Sequence, residues 1–234
     1  MQPQKTIIIQ PKTVSFILLL IIVGLVLANI TGQVLQHEFG YNSSIIRGLD
    51  FDNERNIPAF FSTVLLLISA SLLGSIAAVK RKEQDSYTRH WAMLSLIFVF
   101  LALDENVSLH ERLIEPLRSA LHTGGVFYYA WVIPAIFAVL CFAILYFKFL
   151  FHLPKKSRLI FSIAAILYIG GAIGVEMIGG RHADLYGVSN FSYSMITTLE
   201  ESFEMAGILL FIFGLLCYVE SAFREIYIAV GKKH

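Results

Sequence analysis

Apolar residues crowd into six stretches of the chain, and polar residues gather between them. The runs fall at about 13–33, 58–79, 90–108, 126–151, 158–178 and 194–219. Each is near the roughly 20 residues that a helix needs to cross a hydrocarbon core of about 30 Å. The pattern predicts an all-α protein, a polytopic membrane bundle of six transmembrane helices. One transmembrane domain then takes up residues 1–234, with an outer loop at about 34–57. The first run follows Lys5 and Lys12, but it is too long for a signal peptide and lacks a small-x-small cleavage site, so it reads as a retained anchor.

Composition agrees with a membrane setting. Apolar residues make up 56% of the 234, charged residues 15%, and mean hydropathy is +0.69. Charge then orients the bundle. Of the 18 Lys and Arg, only Arg47, Arg55, Arg112, Arg118 and Arg181 fall on the side away from the N-terminus. By the positive-inside rule both termini are expected to be cytoplasmic, in keeping with an even number of spans. Trp91 at one interface and Tyr128, Tyr129 and Trp131 at the other fit aromatic belts. The acids show the reverse bias. Of 17 Asp and Glu, only Glu83, Asp85, Glu220 and Glu225 lie on the N-terminal side, so a net charge of +1 conceals an acidic outer face.

Several of those acids sit inside the apolar runs, where a charge costs roughly 2.5–3.5 kcal/mol on insertion scales and marks a cavity, a pairing or a ligand. A rise of 1.5 Å per residue places Asp104 about 21 Å beyond His90, Glu204 about 24 Å from Glu220 and Glu176 about 27 Å from Arg158. Three spans thus bring acids to one level, and the cheapest arrangement is a single shared site. Asp104, Ser108, Glu111 and Glu115 form a stripe if span 3 continues outward as a helix. His110 lies about a third of a turn away and joins them only if that helix unwinds near Asn106.

On span 6, Glu200 and Glu204 share a face, flanked by Glu201, and two ionised carboxylates at i,i+4 repel. A metal ion, a proton, or Arg112 or Arg181 is expected to neutralise them. Gly170 and Gly171 read as packing residues. Gly179 and Gly180 are expected to end span 5 and aim Arg181 and His182 at the acids. The outer loop, with Asp50, Asp52 and Glu54, is expected to be solvated or to fold over the outer mouth.

Three readings of the cluster stand side by side. A divalent metal, zinc or iron, held among Asp104, His110, Glu111, Glu176, His182, Glu200 and Glu204 would support hydrolase-like chemistry on a lipid or other amphiphile, with Glu105, Ser108, Arg112, Arg181 and Glu201 supporting or ion-pairing. Stacked acids also suit a small proton- or cation-coupled transporter. A structural cluster of acids and arginines would suit an accessory subunit of a larger membrane complex.

Other chemistries are excluded by what is missing. Cys141 and Cys217 form no C-x-x-C pair, and mid-span positions offer neither a Schiff-base lysine nor paired haem histidines. The expected partners are membrane lipids and a lipid-like substrate. Lys80-Arg81-Lys82 and Lys155-Lys156 suit lipid headgroups, and nucleic acid is not implied.

Glu200-Glu201-Ser202-Phe203-Glu204 partly resembles the E-E-x-x-x-R motif of the CAAX-type intramembrane proteases. Glu204 stands where that family has arginine, and only His234 follows, so the resemblance fails. The alkaline ceramidase and progestin-receptor superfamily pairs histidines on a late span, which has no counterpart here. The Leu103–Glu111 segment, with the pattern Leu-Asp-Glu-x-x-Ser-x-His-Glu, is similar to uncharacterised multi-pass bacterial membrane proteins. That likeness implies no activity; with the Lys and Arg distribution, the expected location is a bacterial inner membrane with the site facing the extracytoplasmic side.

Overall fold

The computed structural model describes residues 10–53 and 55–222. Regular structure among them is helical: α1 (Pro11–Phe39), α2 (Ser44–Leu49), α3 (Ile57–Lys82), α4 (Thr88–Val107), α5 (Glu111–Leu121), α6 (Val132–His152), α7 (Lys155–Ile169), α8 (Glu176–Tyr186) and α9 (Phe191–Ala222). A π-helical segment, Gly170–Val175, joins α7 to α8 without a break. Six helices are therefore long and apolar enough to cross a membrane: α1, α3, α4, α6, the α7–α8 rod and α9. Lys5, Glu54, Arg224, Glu225, Lys232, Lys233 and His234 lie outside the described residues.

Local chemistry sets the helix ends. Pro11 opens α1 where a missing N–H is harmless, and Gly40, at φ 65°, closes it while the Tyr41 N–H bonds back to the Leu35 carbonyl at 3.0 Å. The Asn56 side chain caps α3 by accepting from the Ala59 N–H at 3.1 Å, and Lys80, Arg81 and Lys82 complement the dipole at its other end.

Helix α9 is the hub, packed against α1, α3, α7 and α8, while α3 pairs closely with α4. In lipid, such contacts rest on fit between surfaces more than on escape from water. The fit is tight. A Cβ on Gly207 would lie 2.7 Å from the Tyr168 nitrogen, and one on Gly171 2.8 Å from the Glu200 carbonyl oxygen. Toward the face where α1 begins, here termed the basic face, the interior is filled by Trp91, Phe149, Phe161, Leu215 and Tyr218. Helix α6 is fixed there too, since the Tyr146 hydroxyl donates to the His90 carbonyl at 3.2 Å and Phe149 lies edge-on to Trp91.

Three boundaries differ from the hydropathy reading. Span 4 begins at Val132 rather than near 126, because Gly125 (φ 61°) and a 3-10 turn at Gly125–Phe127 occupy the preceding residues. Span 5 does not end at Gly179 and Gly180; both are buried in the rod, where they admit Ile196 and Tyr129, and the helix runs on to Gly187 at φ 74°. Nor does span 3 continue outward as one helix. It stops at Val107.

The spans differ in length. The α7–α8 rod and α9 have 32 residues each, about 48 Å at the helical rise, whereas α4 with 20 and α6 with 21 reach only about 30 Å.

Candidate functional site

The break after α4 creates the central pair of the site. Ser108 adopts the left-handed conformation (φ 56°, ψ 50°), and its N–H bonds to the Asp104 carbonyl at 2.7 Å. For a residue other than glycine this backbone costs roughly 1–2 kcal/mol. The turn brings His110 back over Asp104. The His110 N–H donates to Asp104 Oδ1 at 2.9 Å, and its ring Nδ1 meets Oδ2 at 2.9 Å. One carboxylate thus grips both the backbone and the ring of one histidine.

From this pair the contacts continue across the bundle. The His110 ring lies against Trp131, with centroids 4.7 Å apart, and Trp131 Nε1–H donates to Glu176 Oε1 at 2.8 Å. Glu176 and Glu200, from α8 and α9, line the same cavity.

These residues line a cavity of about 820 Å³ in the acidic half of the bundle. Asp104 and Glu105 of α4, His110, Glu111 and Arg112 after the break, Glu176 of α8, and Glu200, Glu201 and Glu204 of α9 all face it. Tyr129, Trp131, Tyr168 and Tyr193 add aromatic walls, with the Tyr129 and Tyr193 hydroxyls 2.6 Å apart. Desolvation foremost raises the Tyr129 phenol to about 12, so that hydroxyl stays protonated. A different wall is apolar, formed by Phe100 and Leu101 of α4 and by Pro134, Ala135, Ala138 and Val139 of α6. Phe100, Pro134 and Ala138 are at once cavity-lining and exposed. The cavity therefore opens sideways between α4 and α6, at a depth where those helices face lipid.

A loop covers the upper side, held by two polar residues of α1. The buried Asn29 side chain donates to Thr198 Oγ1 at 2.7 Å and accepts from the Phe51 N–H at 3.2 Å. Gln33 donates to Asp50 Oδ1 at 2.6 Å. Phe51, Asp52 and Asn53 are thereby laid along the cavity. Desolvation, followed by the negative charges of Asp50, Glu111 and Glu176, pushes the Asp52 carboxyl up to about 7. His110 also moves upward. Burial pulls it down, but the hydrogen bond and charge of Asp104, aided by Glu176 and Glu111, prevail.

Some expected members of the site stand elsewhere. His182 is not among the acids; its Nε2 bonds to Asn190 Oδ1 at 2.9 Å, because α8 continues as a helix and carries the ring to the α8–α9 junction. Arg181 is exposed and does not line the cavity. Arg112 stands exposed at the cavity edge, and the arginine pairing seen at this face among the described residues is Arg118 with Glu115, at 2.6 Å. Ser108 supports the site through its backbone turn rather than by facing the cavity. Among the described residues no three His, Cys, Asp or Glu groups stand together as a ligand set for a metal ion.

Sequence reasoning missed Asn29 and Gln33 as organisers, and read Tyr129 and Trp131 as interface residues only. The available signal was a polar i,i+4 pair around Gly32 in an otherwise apolar run.

The family model described as Domain of unknown function (DUF8692) matches residues 16–219, which include every cavity-lining residue named above. No curated protein and no solved structure matches the chain.

Proposed function

We propose that this chain, which belongs to the DUF8692 family, is a membrane-embedded acid–base enzyme with hydrolase-like chemistry on a lipid-like amphiphile. The observation that carries this reading is the Asp104–His110 pair set into the wall of a cavity that opens toward lipid. With Nδ1 committed to Asp104, Nε2 is the ring nitrogen left for a reacting group. An aspartate behind the imidazole fixes its orientation and stabilises the imidazolium formed when it accepts a proton.

Glu176 and Glu200, which line the same cavity, complement this base: one of them in its protonated form would give a leaving group its proton. A water deprotonated by His110 would add to an ester-like centre of the amphiphile, and the departing oxygen would receive the proton of the carboxyl pair. The apolar wall from Phe100 to Val139 suits a chain. The surrounding carboxylates disfavour an anionic head and favour one bearing an amine. By the distribution of Lys and Arg, the amphiphile enters from the outer leaflet of a bacterial inner membrane. Among the described residues zinc or iron finds no fitting ligand set, so the proposed reaction uses side chains alone.

A transport path draws less support. Below the cavity, Phe211 stacks on Phe98 and tilts against Phe161, with centroids 4.8 and 4.9 Å apart, so aromatic rings fill the way to the basic face.

The test is to incubate the purified protein with extracted membrane lipids and follow each species by mass spectrometry. The parent protein should consume at least one species, and His110→Gln should slow that conversion by about 10²-fold or more. Unchanged lipids, or equal conversion by His110→Gln, would overturn the proposal. Zinc or iron analysis of the same sample checks the chemistry, because stoichiometric metal would contradict the metal-free reaction.

A further inference from the structure

A second groove, of about 530 Å³, lies on the acidic face beside the N-terminus of α3. Arg47 from α2 and Arg55 from the loop before α3 both line it, with Asn53, Asn56, Ile57 and Phe60. Two arginines on one groove are notable on a face with so few cations and so many carboxylates. Like charges converge only against a cost, and among the described residues no acid offsets it. Arg47 donates to the neutral Asn42 Oδ1 at 3.2 Å, and among the described residues no carboxylate ion-pairs with Arg47 or Arg55. The nearby Asp50 is turned away, accepting from Gln33 and from Asn53 Nδ2. Arg55 is also held in the left-handed conformation at φ 57°, an uncommon backbone for this residue type.

The rim identifies the anion. Ile57 and Phe60 are 56% and 63% exposed, and Ile45 on α2 is 73% exposed. Because Ile57 is the first residue of α3, Ile57 and Phe60 sit at the end of a membrane span, where acyl chains meet headgroups. Guanidinium groups bind phosphate oxygens in bidentate fashion, and an apolar rim at that level suits the chains below. We infer that Arg47 and Arg55 form a phosphate-binding site that holds the headgroup of a phospholipid at the outer end of α3. Asn53 lines both this groove and the acid-lined cavity, so the bound headgroup would lie just across the covering loop from that cavity.

Binding of a fluorescent short-chain phosphatidylglycerol to the detergent-solubilised protein tests it, with inorganic phosphate and phosphate-free diacylglycerol as parallel probes. Saturable binding to the parent protein is expected. It should weaken at least tenfold in Arg47→Gln/Arg55→Gln and measurably in Arg55→Gln alone, while diacylglycerol fails to compete. Equal affinity in the parent and the double variant would overturn the site. Competition by diacylglycerol as strong as by phosphatidylglycerol would overturn the role of phosphate. Inorganic phosphate that displaces the probe at micromolar concentration would overturn the lipid as its source. Since both arginines stand at the surface, an unchanged helical circular dichroism spectrum serves as the folding control.

Discussion

Asp52 couples the covering loop to pH. Partial desolvation, followed by the charges of its neighbours, raises the carboxyl from 3.8 to about 7, so the loop in place favours the protonated form. The sign follows directly. Below pH 4 the group is protonated whether the loop is in place or detached, and it contributes no difference. Between about pH 4 and pH 7 the loop in place is progressively penalised, and above pH 7 the penalty is complete. Because the side chain is well exposed, solvent screening keeps the effect small. Amide hydrogen exchange at Phe51 and Asp52, corrected for intrinsic rates, should be faster at pH 8 than at pH 5.5. Asp52→Asn should remove that difference, and a pH dependence that survives the substitution would place the titrating group elsewhere. Sequence alone could offer Asp52 only as a loop acid, since the hydrogen bonds that lay it down come from Asn29 and Gln33 on another helix.

Among the elements, the contact of α7 with α9 admits the least change. Gly207→Ala would bring a methyl carbon within 3 Å of the Tyr168 nitrogen and the Ala164 carbonyl oxygen, both backbone atoms that cannot swing aside. Overpacking of this kind costs about 1–3 kcal/mol. Gly24→Ala on α1 meets nothing within 4 Å and should be neutral or slightly stabilising. Thermal unfolding of the two variants in the same detergent checks the contrast, and similar midpoints would show that α7 and α9 do not approach as described.

Hydropathy disclosed the spans because a lipid-crossing helix must be apolar along most of its length. The helical rise disclosed the level of the acids, because depth depends only on residue count. Angular position was less legible. Ser108 breaks α4 without a glycine or proline to announce it, and the π segment turns α8 relative to α7, so one helical wheel cannot describe the whole rod. Gly179 and Gly180 misled for a related reason: glycine that ends a helix and glycine that admits a neighbour look alike in sequence.

At the scale of the whole molecule, the segregation of Lys and Arg from Asp and Glu makes orientation testable. A reporter active only in the cytoplasm should work when inserted between Arg81 and Asp85, and fail at Asp52 or Asp184. The reverse pattern would turn the acid-lined cavity toward the cell interior. The unequal lengths of the spans also shape that cavity. With their basic ends at a common level, the α7–α8 rod and α9 would outreach α4 and α6 by about 15 Å or more on the acidic side. The cavity is then a scoop rather than a cup, with a tall back wall raised into the water and a low lip set at the bilayer. A molecule diffusing in the membrane plane reaches it over the lip, whereas one arriving from solution meets the covering loop first.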